Sequence, residues 1–227
     1  MTAKAVVLLS GGMDSTTALF IAMRKYEIVG IMFLSYGQRG ARYERDAARA
    51  IVKHAALGKT AAPTSGYSEL SIVIPAQESS LYCYSDRPID LESTHPDGLP
   101  LTFVPGRNLI FLSYATSLAY ELDATVIVGG WTAGDRANYP DCSPEFLSAA
   151  ASAMSEAINR AISIYSPVLT VNKAQVVGAG EKLGVPWEHT RSCYGDHIEP
   201  CWECDSCIRR SEAFKRAGVH DPLEDMW

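Results

Sequence analysis

The sequence predicts an α/β fold built on a doubly wound, mostly parallel sheet, with a small zinc-binding segment at its C-terminal end. Three observations predict this fold. Short apolar runs alternate with helical stretches, a glycine-rich turn joins the first apolar run to a helix, and four cysteines lie within fifteen residues near the C-terminus. Alternating strands and helices are typical of parallel sheets that carry helices on both faces.

The elements follow one another in regular order along the chain. Strands are predicted at residues 5–9, 28–34, 71–75 and 125–129. Helices are predicted after the glycine-rich turn and at residues 41–56, 109–122, 144–161 and 172–183, the last ending at Gly184 and Pro186. Residues 76–100 are rich in proline and polar residues, which predicts a long loop over or beside the active site.

The composition limits the classes of function. The chain has 227 residues, 47% hydrophobic and 20% charged, which fits one compact domain or one domain with a small appendage. Its net charge of −6 disfavours nucleic acid as a partner. The first apolar run is too short for a leader, and no run approaches the ~20 residues of a membrane span. We therefore expect a cytoplasmic protein without a membrane partner.

The glycine-rich turn has the features of a phosphate-binding loop. It follows the first strand and opens a helix, so its backbone N–H groups and the helix N-terminus both face an anion. It lacks the lysine that ends a Walker A loop, and it resembles the SGGxDS loop of the ATP-pyrophosphatases, which cleave ATP to AMP and pyrophosphate. The predicted nucleotide-binding residues here are Leu9, Ser10, Gly11, Gly12, Met13, Asp14 and Ser15.

Three further groups of polar residues follow strands or open helices. Gln38 and Arg39 come after the second strand, where they can contact a nucleotide or simply form a turn. Arg107 lies at a helix start, a position that arginine normally avoids, so it is either a group that faces a bound anion or an exposed arginine. Asp135 and Asp141 follow the fourth strand, as either solvated carboxylates or ligands for magnesium and a purine-type base.

Lys173 begins the last predicted helix. It is either an ordinary surface lysine or a group that neutralises charge developing on pyrophosphate.

The C-terminal cysteines have the spacing of a metal site. They are arranged C-x7-C-x2-C-x2-C, and two overlapping CxxC turns can place three thiolates around one ion while Cys193 completes a tetrahedron. Four sulfur ligands indicate a structural zinc, with an iron–sulfur cluster or free thiols as the alternatives and His197 as a competing ligand. Cys83 and Cys142 are not expected to bind the metal. The predicted ligands are Cys193, Cys201, Cys204 and Cys207.

The order of the motifs resembles one family over nearly the whole chain. SGGMDS, YGQR, TFVPGRN, YPDC, SPVLTVNKAQ and SCY with CWECDSC occur in the order and spacing of 7-cyano-7-deazaguanine synthases. The resemblance implies an adenine-nucleotide α-hydrolase-like fold, one bound zinc and a homodimer. It also implies ATP-dependent conversion of 7-carboxy-7-deazaguanine and ammonia to the nitrile, with AMP and pyrophosphate released, for queuosine biosynthesis.

The resemblance and the residues together give an expected set of roles. Residues 1–190 are predicted to form the nucleotide-binding domain, and residues 191–227 a zinc-binding segment packed on it. ATP is expected to bind with Mg²⁺. The expected catalytic residues are Asp14, Ser15, Arg107 and Lys173, and the expected substrate-binding residues are Phe103, Arg107, Asn108, Asp135, Tyr139 and Asp141.

Two departures from the family pattern leave alternatives open. Gly40 replaces the histidine that continues YGQR, and Ser143 replaces the arginine that follows YPDC. A specialised paralogue that stops at the amide or couples the deazaguanine to a macromolecule is therefore one alternative. Another ATP-pyrophosphatase, such as a tRNA-modifying enzyme, is a second alternative. A non-catalytic nucleotide-binding subunit is a third, although the intact loop argues against it.

Overall fold

The computed structural model describes residues 2–57, 66–75, 78–87, 89 and 93–226. Among these, five parallel strands form one sheet in the order β3-β2-β1-β4-β5. The strands are β1 (Lys4–Leu8), β2 (Glu27–Ser35), β3 (Tyr67–Ser71), β4 (Val126–Val128) and β5 (Ser163–Tyr165). The strand order reverses at β1, as in doubly wound sheets, and confirms the predicted fold class.

Helices cover both faces of this sheet. The helices are α1 (Met13–Ala22), α2 (Ala41–Leu57), α3 (Arg107–Glu121), α4 (Ala133–Arg136), α5 (Pro144–Ile158), α6 (Lys173–Leu183), α7 (Asp205–Ala217) and α8 (Leu223–Met226). One apolar cluster joins α1 and α2 to one face, and a second joins α3 and α5 to the other. A third cluster joins α1, α6 and α7 beside the sheet.

The central strand is buried on both faces. Ala5, Val6 and Val7 have no exposed surface, and each packs with the cluster on its own side of the sheet. This explains why β1 appears in the sequence as a continuous apolar run rather than an alternating one. β2 is similarly apolar, and both strands were predicted within one or two residues of their observed ends.

Other elements differ from the sequence prediction. The predicted strand at 71–75 is wrong, because the pairing with β2 runs from Tyr67 to Ser71. The helix predicted to residue 161 ends at Ile158, where Asn159 adopts a left-handed conformation with φ 49° and terminates it. β5, α4 and α7 were not predicted. Residues 76–77, 88 and 90–92 of the predicted long loop lie outside the described residues, and its described part forms only turns and isolated bridges.

A buried ion pair fixes α7 to the rest of the chain. Arg210 and Asp221 are both essentially unexposed, and the guanidinium donates to both carboxylate oxygens at 2.5 and 2.7 Å. Its remaining N–H groups donate to the Thr190 hydroxyl and the Trp187 carbonyl. All the polar atoms of the pair are therefore satisfied within the protein.

The domain boundary at residue 190 stays a prediction.

Among the described residues, no helix combines the length and apolar character needed to cross a bilayer.

Candidate active site

A cavity of about 290 Å³ opens at the carboxyl ends of β1, β2 and β4. Its walls come from the loop after β1, from the first residues of α1, α3 and α6, and from the segment that carries the four cysteines. This is the edge at which doubly wound sheets bind ligands. Residues 191–207 are called the cysteine segment below.

The loop after β1 is held in shape by its own hydroxyl groups. Ser10 and Ser15 place their Oγ atoms 3.0 Å apart, and the Ser10 backbone N–H donates to Ser15 Oγ. The Thr16 hydroxyl donates to the Gly12 carbonyl at 2.7 Å. No side chain caps the start of α1 at Gly12. The first N–H groups of the helix therefore remain available to an anion in the cavity.

Two glycines allow the close approach of neighbouring backbone. Gly11 has φ +81°, and a Cβ there would lie 2.7 Å from the Glu44 carbonyl oxygen of α2. Gly130, after β4, would place a Cβ 2.4 Å from the Ser15 backbone nitrogen. Any larger residue at either position would push residues 10–15, the predicted phosphate loop, away from their neighbours.

A lysine–aspartate pair crosses the cavity beside this loop. Lys173 Nζ donates to Asp14 Oδ2 at 2.6 Å, although the two residues are 159 positions apart. Burial alone would lower the pKa of Lys173, but Asp14 and Asp135 outweigh it and raise that pKa. Burial and the Asp135 charge raise the pKa of Asp14, against the opposing effect of Lys173. Asp14 Oδ1 is buried without a hydrogen-bond partner, so it is free to accept from a ligand or cation.

Asp135 also belongs to this part of the cavity. Its Oδ2 accepts hydrogen bonds from the Thr132 N–H and hydroxyl, which caps α4. The positive charge of Arg209, on α7, lowers the pKa of Asp14 and so acts against the effect of burial.

The other side of the cavity carries a second set of charged groups. Arg107 donates to the Tyr36 hydroxyl at 3.2 Å, and its guanidinium lies 5.7 Å from the Tyr36 ring centre. Glu44 Oε2 accepts from the Gln38 amide at 2.8 Å, while Gln38 Oε1 accepts from the Tyr36 backbone N–H. Burial raises the pKa of Glu44, and Gln38, Arg107 and Arg191 counteract it.

Several predicted site residues make contacts of another kind. Arg39 borders the cavity, but its guanidinium donates to the backbone carbonyls of Tyr82, Ser85 and Arg87. Met13 packs in the apolar cluster between α1 and α7. The described lining of the cavity does not include Gly11, Met13, Phe103 or Asp141.

Asp141 instead organises the start of α3. Its Oδ2 accepts from the Asn108 backbone N–H, and its carbonyl accepts from the Asn108 side chain. The same Asn108 amide reaches the Cys142 sulfur, which borders the cavity. Burial and the neighbouring Asp141 and Asp135 raise the pKa of Cys142 to about 12. This thiol is therefore protonated at neutral pH and is a poor nucleophile.

Tyr139 closes the cavity on the side of β4. Its hydroxyl hydrogen-bonds Thr102 at 2.8 Å, and its ring stacks on Phe103 with centres 6.3 Å apart. Phe103 thus supports Tyr139 from behind rather than lining the cavity itself.

The four predicted cysteines form one cluster. Their sulfur atoms all lie within 4.8 Å of one another, and Cys201 and Cys207 are 3.9 Å apart. A tetrahedral ion with ~2.3 Å metal–sulfur bonds requires sulfur separations of about 3.8 Å, so the donor set fits a single zinc. Hydrogen bonds among the thiols lower the pKa of Cys193 and raise the pKa of Cys204 to about 11, as expected when close thiols share protons. The His197 ring lies 3.8 Å from the Cys193 sulfur but is not part of the cluster among the described residues.

Sequence reasoning missed several groups that line the cavity. These are Glu44, which follows YGQR by five positions, Trp131, Tyr194 and Ser206. Burial, with Tyr139, Asp205 and Asp135, raises the pKa of Tyr194, and Ser206 opposes that rise. The sequence does contain one indication of Tyr194 and Ser206, because each is directly adjacent to a cysteine of the predicted metal site: Tyr194 follows Cys193, and Ser206 precedes Cys207.

Comparisons with known proteins give a consistent result. The family model described as Queuosine biosynthesis protein QueC matches residues 4–218. Proteins named 7-cyano-7-deazaguanine synthase are similar over nearly the full length. The one from Methanoculleus marisnigri is 38% identical, over 97% of this chain and 98% of its own length. The one from Acinetobacter baylyi is 37% identical, over 98% of this chain and 95% of its own length.

Solved structures show a more distant likeness in fold. A U34-tRNA thiolase from Methanococcus maripaludis, solved with a 4Fe-4S cluster, has a TM-score of 0.50 at 18% identity, covering 99% of this chain and 67% of that one. A 4-thiouridine synthetase in complex with RNA and ATP has a TM-score of 0.52 at 16% identity, covering 99% and 53%. At these identities the likeness establishes the fold alone.

Proposed function

Because the chain belongs to the Queuosine biosynthesis protein QueC family, we propose that it converts 7-carboxy-7-deazaguanine and ammonia to 7-cyano-7-deazaguanine with cleavage of ATP. The observation that carries the proposal is the shared cavity. It combines a phosphate-type loop, the Lys173–Asp14 pair and a wall that includes Tyr36, Tyr139 and Tyr194. A flat heterocycle and a nucleotide are the ligands that such a wall and loop suit best.

The reaction needs two activations of the same carbon. A substrate carboxylate oxygen attacks the α-phosphorus of ATP, which releases pyrophosphate and forms an acyl adenylate. Ammonia then adds to the carbonyl carbon, and AMP leaves with loss of a proton, giving the amide. Attack of the amide oxygen on a second ATP releases a second pyrophosphate, and loss of AMP and protons leaves the nitrile. Each step needs charge stabilisation on a departing pyrophosphate or AMP.

The phosphate loop and Lys173 supply that stabilisation in the proposal. Ser10, Gly12 and Ser15 border the cavity and offer hydroxyl and backbone N–H donors. Lys173 stays positively charged because two carboxylates raise its pKa. When ATP binds, we expect the ammonium group to exchange Asp14 for phosphate oxygens.

Magnesium is proposed to bind with ATP at the carboxylates of this site. Asp14 has a buried oxygen without a partner, which fits a hard cation that prefers oxygen ligands. Asp14 and Asp135 are the residues that would hold it, and bound magnesium would neutralise phosphate charge.

The deazaguanine is proposed to bind at the other end of the cavity. Arg107 borders that region and retains its positive charge, so it can pair with the substrate carboxylate before activation. Asn108 and Tyr139 provide neutral polar groups beside it. Asp141 is proposed to support this end indirectly, through its hydrogen bonds to Asn108.

No covalent enzyme intermediate is part of the proposal. Cys142 is the cysteine that borders the cavity among the described residues, and its pKa of about 12 keeps the thiol neutral. A mechanism that uses an attacking thiolate therefore gains no support from this cavity.

The cysteine cluster is proposed to bind one structural zinc. Its four sulfurs leave no open coordination position, and such closed sites contribute folding energy rather than Lewis acidity.

A homodimer in the cytoplasm is the proposed assembly. Leu109, Tyr114 and Tyr120 of α3 are 46%, 39% and 50% exposed, which supports burial of this helix against a second copy. The net charge of −6 supports small molecules rather than nucleic acid as partners. Sedimentation of the wild type and of Tyr114→Glu would test the dimer, which the variant should weaken.

Mass spectrometry of the products tests the proposed function directly. The purified protein is incubated with 7-carboxy-7-deazaguanine, ATP, magnesium and ¹⁵N-ammonium, and the nitrile should appear with one ¹⁵N atom. Accumulation of the amide alone would instead indicate the paralogue that stops early. Unchanged acid with intact ATP would refute the proposal.

A further inference from the structure

The cysteine segment places two side chains in the catalytic cavity. Tyr194 and Ser206 both line it, although each is adjacent in sequence to a cysteine of the cluster. We propose that Tyr194 contacts the deazaguanine ring, and that the cysteine cluster positions it to do so. This inference rests on the proposed function and deepens it, because it assigns ring recognition to a residue outside the α/β sheet and its flanking helices.

Tyr194 spans the cavity between its two sides. Its ring packs against the apolar cluster that contains Tyr36, Tyr82 and Val104, on the side of β2. Its hydroxyl lies within electrostatic reach of Tyr139 and Asp135, on the side of β4. A side chain in this position faces whatever occupies the space between the sheet edge and the cysteine segment.

Ser206 lines the same cavity as Tyr194 and acts on its hydroxyl group. Ser206 directly precedes Cys207 in the first turn of α7. Cys193 fixes the tyrosine from the other side. Tyr194 and Ser206 are thus each one residue from a cysteine of the same cluster, so closure of the cluster determines where the two side chains lie.

The backbone that carries Tyr194 is also tied to the phosphate loop. The Arg191 N–H donates to the Gly11 carbonyl at 2.8 Å. The Arg191 guanidinium donates to backbone carbonyls that surround Tyr194 on both sides: Cys193, Gly195, His197 and Ile198. The distance and orientation between the phosphate loop and the cysteine segment are therefore fixed. A ring bound by Tyr194 is consequently held at a set position relative to phosphates bound by the loop.

The chemistry of tyrosine suits this role. A planar, electron-rich heterocycle stacks on an aromatic face, and replacing such a face costs roughly 5- to 150-fold in affinity. The hydroxyl adds a directional contact at the ring edge, and a contact of this kind discriminates between analogues when it is buried. ATP is held mainly by the loop in the proposed function, so its affinity should depend little on Tyr194.

The test compares Tyr194→Leu and Ser206→Ala with Tyr43→Leu as a matched control. Tyr43 lies on α2 next to the same segment, with its ring 5.0 Å from the Arg191 guanidinium, but it does not line the catalytic cavity. Binding of 7-carboxy-7-deazaguanine and of ATP is measured separately by calorimetry, together with the zinc content and the melting temperature of each protein.

The proposal expects Tyr194→Leu to weaken binding of the acid roughly 5- to 150-fold while ATP affinity and zinc content stay at the wild-type level. Ser206→Ala should weaken acid binding less, and Tyr43→Leu should leave it unchanged. Unchanged acid affinity in Tyr194→Leu would overturn the proposal. Parallel loss of zinc, ATP affinity and acid affinity would show a structural role instead. Wild-type protein that binds ATP but not the acid would refute the proposed substrate, and the assignment of Tyr194 with it.

Discussion

The phosphate loop and the cysteine segment face the same cavity but are held in place differently. The loop lies between a strand that is buried except at Lys4 and a helix, and local hydrogen bonds made by Ser10, Ser15 and Thr16 complete its shape. The cysteine segment is irregular from residue 191 to residue 204, and it depends on the four thiols and the Arg191 guanidinium. The sheet therefore determines the geometry of the first region, whereas a few polar anchors determine the second.

This difference separates chemistry from stability in the predicted effects of mutation. Substitutions beside the phosphate loop should reduce catalysis and leave folding nearly intact. Substitutions of the groups that anchor the cysteine segment should reduce stability first, because each anchor holds a stretch of chain without regular hydrogen bonding.

The largest effect is expected at Lys173. Lys173→Met removes the cation that faces Asp14 at 2.6 Å, and we expect AMP formation to fall by about 10²–10³-fold, the usual cost of losing one preorganised charge-stabilising group. The melting temperature should change little, because Met removes the cost of burying the ammonium group, and Asp14, whose pKa burial already raises, borders the cavity and can take up a proton. Steady-state release of pyrophosphate measures the effect. Lys182→Met, on the exposed last turn of the same helix, is the control and should retain full activity.

A large loss of stability is expected at the cysteine cluster. Cys204→Ser should remove the metal and lower the free energy of unfolding by several kcal/mol, because structural zinc binding contributes directly to folding. Metal analysis and thermal melting measure this, and Cys83→Ser, an exposed cysteine outside the cluster, should match the wild type. Iron and visible absorbance in the wild-type protein would indicate that the cysteines hold an iron–sulfur cluster instead of zinc. Equal melting of the Cys204 and Cys83 variants would contradict the structural role.

A comparable loss is expected at the buried ion pair behind the segment. Arg210→Met leaves the Asp221 carboxylate buried without its partner and should destabilise the protein by about 3–5 kcal/mol. Arg216→Met, in an exposed i,i+4 pair on the same helix, should cost no more than about 0.5 kcal/mol. Denaturant unfolding curves give both values. Similar midpoints for the two variants would show that Arg210 does not anchor α7.

The smallest effect concerns the pH dependence of stability at Glu44. Burial raises its pKa above the ordinary value of 4.5, so the folded state holds this proton more tightly than the unfolded state. Its contribution to stability is therefore full below pH 4.5 and decreases as pH rises through the raised pKa. Glu44→Gln should then stabilise the protein at pH 7 relative to its effect at pH 4.

Glu69 provides a control of opposite sign. Its hydrogen bond from Arg49 lowers its pKa, so Glu69→Gln should destabilise the protein at pH 7, and this loss should vanish as pH falls through the lowered pKa. Melting temperatures of Glu44→Gln and Glu69→Gln, measured from pH 7 down to pH 4, test the pair of predictions. The same pH trend in both variants would be inconsistent with the burial of Glu44.

The fold was largely predictable where burial leaves a clear pattern. β1 and β2 are long apolar runs, and α6 is marked by the Asn172 cap and by Gly184. β3 was misplaced because it is a polar edge strand, Tyr-Ser-Glu-Leu-Ser, with only one wholly apolar side chain. β5 is three residues long and too short to produce a periodic signal. α7 begins within the metal-binding motif, so cysteine spacing obscured its amphipathic pattern.

Two parts of the site could be predicted from one motif each, whereas scattered residues such as Arg107, Asp135 and Lys173 could be named from the sequence but not placed relative to one another. The phosphate loop and the four cysteines are each continuous in sequence, and both could be identified from spacing. The Lys173–Asp14 contact joins residues 159 positions apart, and Glu44 and Tyr194 reach the cavity through tertiary packing. Neighbouring residues can also have different surroundings. The Asp141 carboxylate accepts a hydrogen bond at the start of α3, whereas Cys142 borders the cavity.

The most direct test of the account is the ratio of AMP formed to 7-carboxy-7-deazaguanine consumed, measured in one reaction with saturating ammonium. One cavity that activates the same carbon twice should give two AMP and two pyrophosphate for every nitrile. A ratio of one, with amide as the final product, would contradict the second activation. AMP formation that does not depend on the acid would contradict the proposed substrate itself.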